Sequence, residues 1–147
     1  MSQGVNSSFH LTAGSWQKHK QSLSDVRCQV FVVEQQIPEA LELDEHDPYC
    51  HHVLVTDVHG RPVGAARIKA DGHIGRMAVV KDCRGRGVGA AMLAALLEYA
   101  REQGHTRVFL HAQISAVPFY ARFGFVESGE PFIDAGILHR RMLKSLS

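Results

Sequence analysis

One segment constrains this chain more than any other: Val79-Val80-Lys81-Asp82-Cys83-Arg84-Gly85-Arg86-Gly87-Val88-Gly89-Ala90. An apolar, β-branched run from His73 to Val80 enters it, and a long apolar helix, Val88 to Gln103, leaves it, with Gly104 placed as a C-terminal cap. Such a helix, apolar around most of its circumference, must pack tightly on a sheet. The glycines between let the backbone take unusual dihedrals and approach a ligand closely. The first N–H groups of a helix lack intrahelical partners and carry partial positive charge, so the turn is also suited to a phosphate or diphosphate. Lys81, Arg84 and Arg86 add full charges at its edge. The plainer reading is a sharp connection with ordinary surface basic residues.

The rest of the chain supplies the sheet that this helix needs. Phe9 to Thr12 reads as a short first strand, and Trp16, Leu23, Val26, Val30 and Val33 recur at helical spacing, predicting one helix to about Glu34. Pro38 stops it. The acidic stretch Pro38 to Pro48 reads as loop with a helical turn. His52 to Val58 and Pro62 to Ile68 flank His59-Gly60 as a hairpin; strands follow at Arg107 to His111, Phe123 to Glu127 and Leu138 to Leu143, with a short helix at Ser115 to Arg122. Early strands come in hairpins and later ones alternate with helices, so the expectation is an α/β chain with a mixed sheet of six or seven strands. At 147 residues, 45% apolar and 21% charged, all of it fits one domain, residues 1–147, with a core that needs no metal or disulfide.

Several functions are disfavoured. A formal net charge of +1 gives no broad field for nucleic acid or an anionic membrane. The longest apolar stretch, Val88 to Leu97, falls far short of a membrane span, and Met1 to Phe9 is polar, unlike a secretory leader. Cys28, Cys50 and Cys83 form no CxxC pair; a reduced, cytoplasmic protein is expected. The ten histidines include no HExxH or HxxxH pair, and His51 and His52 would point to opposite faces of one strand, so no metal site is expected. A P-loop would need Lys-Ser or Lys-Thr after the glycines, which is absent. A dinucleotide fold would need an acidic residue where His111 and Gln113 stand.

Arg84, Gly87 and Gly89 match the R/Q-x-x-G-x-G/A signature of the GCN5-related N-acetyltransferase (GNAT) family, which the segment resembles. A second stretch, Gln113 to Phe125, resembles that family's N-x-x-A-x-x-x-Y motif followed by x-x-G-F, with Ala116, Tyr120, Gly124 and Phe125 in register and Gln113 in place of Asn. Val30 to Gln35, the acidic run, His52 and Gly129 to His139 are similar to the ElaA-like branch. The resemblance implies a GNAT-like fold with about four helices and acetyl-CoA as co-substrate. It also implies a pyrophosphate held by Arg84, Gly85, Arg86, Gly87, Val88 and Gly89. Met77, Ala78 and Val79 would lie along the pantetheine, and Gln113 would contact the coenzyme. The fold also admits homodimers through a sheet edge or the C-terminal strand.

Acetylation of an amine needs an uncharged nucleophile, a polarised carbonyl and a stabilised thiolate. An alkylammonium has a pKa near 10.4 and must first lose a proton. By the resemblance, an N–H near Ala78 meets the oxyanion, and Tyr120 faces the departing sulfur; a buried core tyrosine is the plainer alternative. Full proton transfer from phenol to thiolate is uphill by roughly 2 kcal/mol, so a hydrogen bond is the expected role. Glu34, His52 or a water chain is expected to take the amine's proton. Glu39, Glu42, Asp44, Glu45 and Asp47 form either a solvated loop or an anchor for a cationic acceptor, a small-molecule or peptide amine. A different class also fits these residues: a catalytically silent acyl-CoA-binding module.

Overall fold

The computed structural model describes residues 8–42 and 44–146; the polar segment 1–7 lies outside them. The chain runs β1 (Phe9–Gly14), α1 (Trp16–Arg27), a π-helical turn (Cys28–Glu34), α2 (Glu39–Glu42), β2 (His51–Asp57), β3 (Pro62–Ile68), β4 (His73–Val79), α3 (Val88–Glu102), β5 (Arg107–Gln113), α4 (Val117–Ala121), β6 (Val126–Asp134) and β7 (Ile137–Ser145). The strands form one seven-stranded mixed sheet ordered β1-β2-β3-β4-β5-β7-β6. Every neighbouring pair is antiparallel except β4 and β5. The expected mixed α/β sheet is therefore the one found, at its upper strand count.

Two rings on β2 show how the helices cover the sheet. His51 stacks on Tyr99 of α3, whereas the His52 ring lies 5.3 Å from Trp16 of α1. Adjacent strand residues point to opposite faces, so α1 and α3 sit on opposite sides. Leu23 and Val26 of α1, Met92, Leu93 and Leu96 of α3, and Val53, Val55, Ile68 and Ile74 of the strands are all buried. Gly64 on β3 allows α3 to dock this closely: a Cβ there would stand 2.8 Å from Val88 Cγ1 and 3.1 Å from Met92 Sδ.

The first helix departs from the expected single run. Ser15 caps it, accepting from the Lys18 N–H at 3.3 Å, but at Cys28 the coil widens into π-turns that persist to Glu34. The wider turn keeps Val30 buried while leaving Val33 69% exposed, although both belong to the same α-helical series in the sequence. The expected strand from Phe123 to Glu127 also shifts. Phe123 and Gly124 donate to Tyr120 and Ala121 carbonyls in a tight turn, with Gly124 at φ 89°, and pairing begins only at Val126.

Candidate active site

The site begins where the two parallel strands part. β4 and β5 pair only at His73–Phe109 and Ile74–Leu110. Beyond them β5 stays paired with β7 through Gln113, while β4 follows β3 through a register shift that places Arg76 at φ 50°. The β5-facing edge of β4 from Gly75 to Val79 is thus left without a strand neighbour. A cavity of about 860 Å³ occupies the gap, walled by Met77, Ala78 and Val79 on one side and His111, Ala112 and Gln113 on the other.

One end of this cavity is the glycine-rich turn. Gly85 and Gly87 have φ of 75° and 87°, in the left-handed region, and Gly87 caps α3 without any side-chain hydrogen bond. The first helical bond runs from the Ala91 N–H to the Gly87 carbonyl. No protein acceptor meets the N–H groups of Val88, Gly89 and Ala90 among the described residues, and all three line the cavity. Unsatisfied amides at a helix start, facing an open space, form an anion site.

The basic residues at that end are arranged differently from expectation. Arg84 forks onto Glu34, donating through Nη1 at 2.7 Å and Nη2 at 2.6 Å, and its Nε donates to the Val79 carbonyl at 2.9 Å. This pair straps the turn to the π-helix and holds the Glu34 carboxyl below its ordinary range. A carboxylate already accepting two guanidinium bonds is a poor proton acceptor, and Glu34 is not part of the cavity wall. Glu34, expected as a base at the acceptor entrance, is thus engaged with Arg84 and stands outside the cavity wall. Arg86 lies over the Phe9 ring at 4.8 Å and is likewise absent from the wall. Arg122, just past α4, is exposed and lines the cavity instead. No local pattern marks it, because 35 positions separate it from Gly87.

Tyr120 reaches across the gap from α4, its hydroxyl donating to Met77 Sδ at 3.5 Å. Phe119 and Phe125 meet the ring edge-on, and burial pushes the phenol up to about 12. Gln113 is present in the wall, but its amide is shared with Gln35: each donates to the other's carbonyl oxygen, at 3.0 and 3.4 Å.

The other end is built from residues that sequence reasoning did not assemble. His73, His111 and His139, Asp134 at the end of β6 and Ala135 of the β6–β7 turn line it together with Phe31, Ile37 and Leu41. His73 stacks on Phe109, His111 meets Phe132 edge-on, and Phe132 stacks on His139. Burial, with the neighbouring His111 adding to it, pushes His73 down to about 4; burial and the charge of Arg141 also lower His111.

The acidic run is neither a solvated loop nor an open anchor. Glu42 and Asp47 are buried, and Asp44 is half-buried. Arg27 pairs with Glu42 and Asp47, Arg67 with Asp44 and Asp47 at 2.7 and 2.8 Å, and Arg76 with Asp44 at 3.1 Å. Burial opposes the charge on Asp44 and Asp47, yet the guanidinium hydrogen bonds hold both below the usual carboxylate range. Only Glu39 and Glu45 of the run are exposed. His52 belongs to the same packed layer. It is 2% exposed, its Nε2 bonds the Asp47 carbonyl at 2.9 Å, and burial lowers its pKa. It does not line the cavity.

Among the described residues no group of three or more His, Cys, Asp or Glu side chains is placed to hold a metal, and no helix is long and apolar enough to cross a membrane.

Known proteins share this arrangement. The solved structure of an acyl-CoA N-acyltransferase from Pseudomonas aeruginosa superposes with a TM-score of 0.83 at 28% identity, covering 94% of this chain and 100% of its own. Escherichia coli ElaA gives 0.82 at 29%, covering 92% and 99%. In sequence, the uncharacterized N-acetyltransferase YjcF of Bacillus subtilis is 40% identical over 134 residues, 86% of this chain and 95% of YjcF. The family model for the acetyltransferase (GNAT) domain matches residues 19–146. A split parallel pair, an amide-lined helix start and these likenesses lead to one assignment: the chain belongs to the GNAT acetyltransferase family and is an acyltransferase.

Proposed function

We propose that the enzyme transfers an acetyl group from acetyl-CoA directly to a primary amine. The observation that carries this reading is the continuity of the cavity, which runs from the free amides of Val88, Gly89 and Ala90, past Tyr120, to the histidine-lined end. The residues present fit the co-substrate. Three unpartnered amides with Arg122 suit a pyrophosphate, and the unpaired edge of Met77, Ala78 and Val79 suits an extended amide-bearing arm. When bound, the thioester supplies an acyl group already activated for attack.

In this reading the turn Gly85, Gly87, Val88 and Gly89 binds through its backbone. Arg84 keeps that turn in shape through Glu34, and Gln113 fixes the β5 end of the gap by its bond to Gln35. Arg86 acts through Phe9 rather than on phosphate. An N–H near Ala78 meets the oxygen that gains charge, where a preorganised donor is worth most. The Tyr120 hydroxyl turns from the Met77 sulfur to the departing one. With its pKa near 12 it keeps its proton and stabilises the thiolate by hydrogen bonding. Glu34 and His52 take no part in proton transfer. Three free thiols fit a reducing, cytoplasmic setting.

Calorimetric titration with acetyl-CoA, followed by a thiol-release assay over a panel of amines, tests the proposal. Saturable binding and amine-dependent thiol release are expected. Binding without turnover on any amine would instead favour a silent acyl-CoA-binding module, and absence of binding would overturn both.

A further inference from the structure

The reaction needs a group that accepts the ammonium proton, and neither residue singled out in the sequence can serve. The geometry points to His139 as that catalytic base, its Nε2 taking the proton of the acceptor amine; this rests on the acetyl-transfer reading above. Four observations carry it.

His139 is 8% exposed yet lines the cavity, so the little surface it has belongs to the site. Its Nδ1 lies 2.7 Å from the Ile137 carbonyl, which can only accept. The neutral ring must therefore carry its proton on Nδ1, leaving the lone pair on Nε2, and no residue is bonded to that nitrogen among the described residues. Phe132 stacks on the ring with centroids 5.7 Å apart and fixes its plane. Finally, His139 is the register partner of Gln113, which places it one strand spacing, about 4.8 Å, from β5, the strand that walls the gap opposite β4.

The neighbouring candidates are less suited. The rings of His73 and His111 have centroids 4.7 Å apart, and among the described residues no hydrogen bond fixes the tautomer of either. Glu42 is committed to Arg27. Asp134 is exposed at the rim. The charged and titratable groups surrounding His139 are His111 on β5, Asp134 at the end of β6, Arg141 on its own strand, His73 on β4, and Arg76 and Glu42 across the cavity.

The proton balance is simple. The ammonium N–H bond breaks as the Nε2–H bond forms, and this proton then passes to solvent. The freed amine nitrogen bonds to the acyl carbon, the C–S pair departs on sulfur, and the second nitrogen proton ends on the thiolate.

The test uses the full chain, acetyl-CoA and the fastest acceptor among phenethylamine, ethanolamine, spermidine and an alanyl peptide. In the wild type, kcat/KM should fall with acid below a bend set by protonation of the base and level off above it. His139→Gln should lose about 100-fold in kcat. Its kcat/KM should have no such plateau, climbing instead toward the ionisation of the acceptor amine itself. Its acetyl-CoA binding should stay within about twofold, as a group outside the coenzyme subsite requires. His139→Asn, whose amide can still donate to Ile137, is the second variant should the glutamine disturb folding, and the same outcome is expected. A variant that binds coenzyme but keeps the wild-type bend overturns the assignment. So does disappearance of the bend in Asp134→Asn or His111→Gln while it persists in His139→Gln. A wild type that binds acetyl-CoA yet acetylates none of the amines contradicts the acetyl-transfer reading for this acceptor set and takes the assignment with it.

Discussion

The two ends of the cavity are built by different means. At the end proposed for the coenzyme the polar groups come from backbone: Gly85 and Gly87 at positive φ, then three amides that α3 leaves unbonded among the described residues. At the end proposed for the acceptor they come from side chains on separate strands, His73 on β4, His111 on β5, Asp134 on β6 and His139 on β7. A backbone site needs a short continuous segment in one conformation, and glycine spacing encodes that locally. A side-chain site exists only after the sheet has ordered its strands β4-β5-β7-β6, an arrangement no local pattern specifies. Substitutions should therefore act through conformation at one end and through chemistry at the other.

The largest expected effect lies beneath the acceptor end. Arg27 holds two buried carboxylates, so Arg27→Met should leave Glu42 and Asp47 under-compensated and cost about 3–5 kcal/mol in a urea or thermal unfolding experiment. The same layer sets an acid limit. Asp44 and Asp47 titrate lower folded than unfolded, so their contribution is complete above the ordinary aspartate pKa of about 3.9 and is lost as pH falls below it. Unfolding midpoints that stay level from neutral pH down to pH ~2 would contradict this account of the network.

Where the two ends meet, Tyr120→Phe should lower kcat by about 10–100-fold while changing acetyl-CoA affinity by less than about threefold, read by steady-state kinetics beside calorimetry. Equal losses in both would place Tyr120 with the coenzyme rather than the leaving sulfur. At the coenzyme end, Arg122→Glu should weaken acetyl-CoA binding about tenfold, as loss of a charge-assisted bond does. Arg86→Glu should do less, because its guanidinium is stacked on Phe9. The reverse order would return Arg86 to the phosphates. Glu34→Gln should have the smallest effect, under about threefold on the same affinity, because the Arg84 pair is exposed and screened.

This contrast also explains which features the sequence disclosed. α3 and its turn were legible because periodicity, Gly87 and Gly104 all act within a few residues. The hairpin of β2 and β3 was legible for the same reason, through His59-Gly60. The π-helical stretch was not: Val30 and Val33 have ordinary helical spacing, and only the packing of Val30 against the sheet shows the coil to be wider. Nor was the fate of the acidic run. Glu42, Asp44 and Asp47 look like a solvated loop until the fold brings Arg27, Arg67 and Arg76 to them from three other elements. Arg84 was legible as important, but its bond to Glu34 was not, since that partner lies 50 residues upstream.

The structure of the complex with acetyl-CoA tests the central claim most directly. The pyrophosphate should accept from the Val88, Gly89 and Ala90 amides, and the thioester should lie between the Ala78 edge of β4 and the Tyr120 hydroxyl. Coenzyme bound elsewhere, with the gap between β4 and β5 filled by the protein's own side chains, would contradict the account.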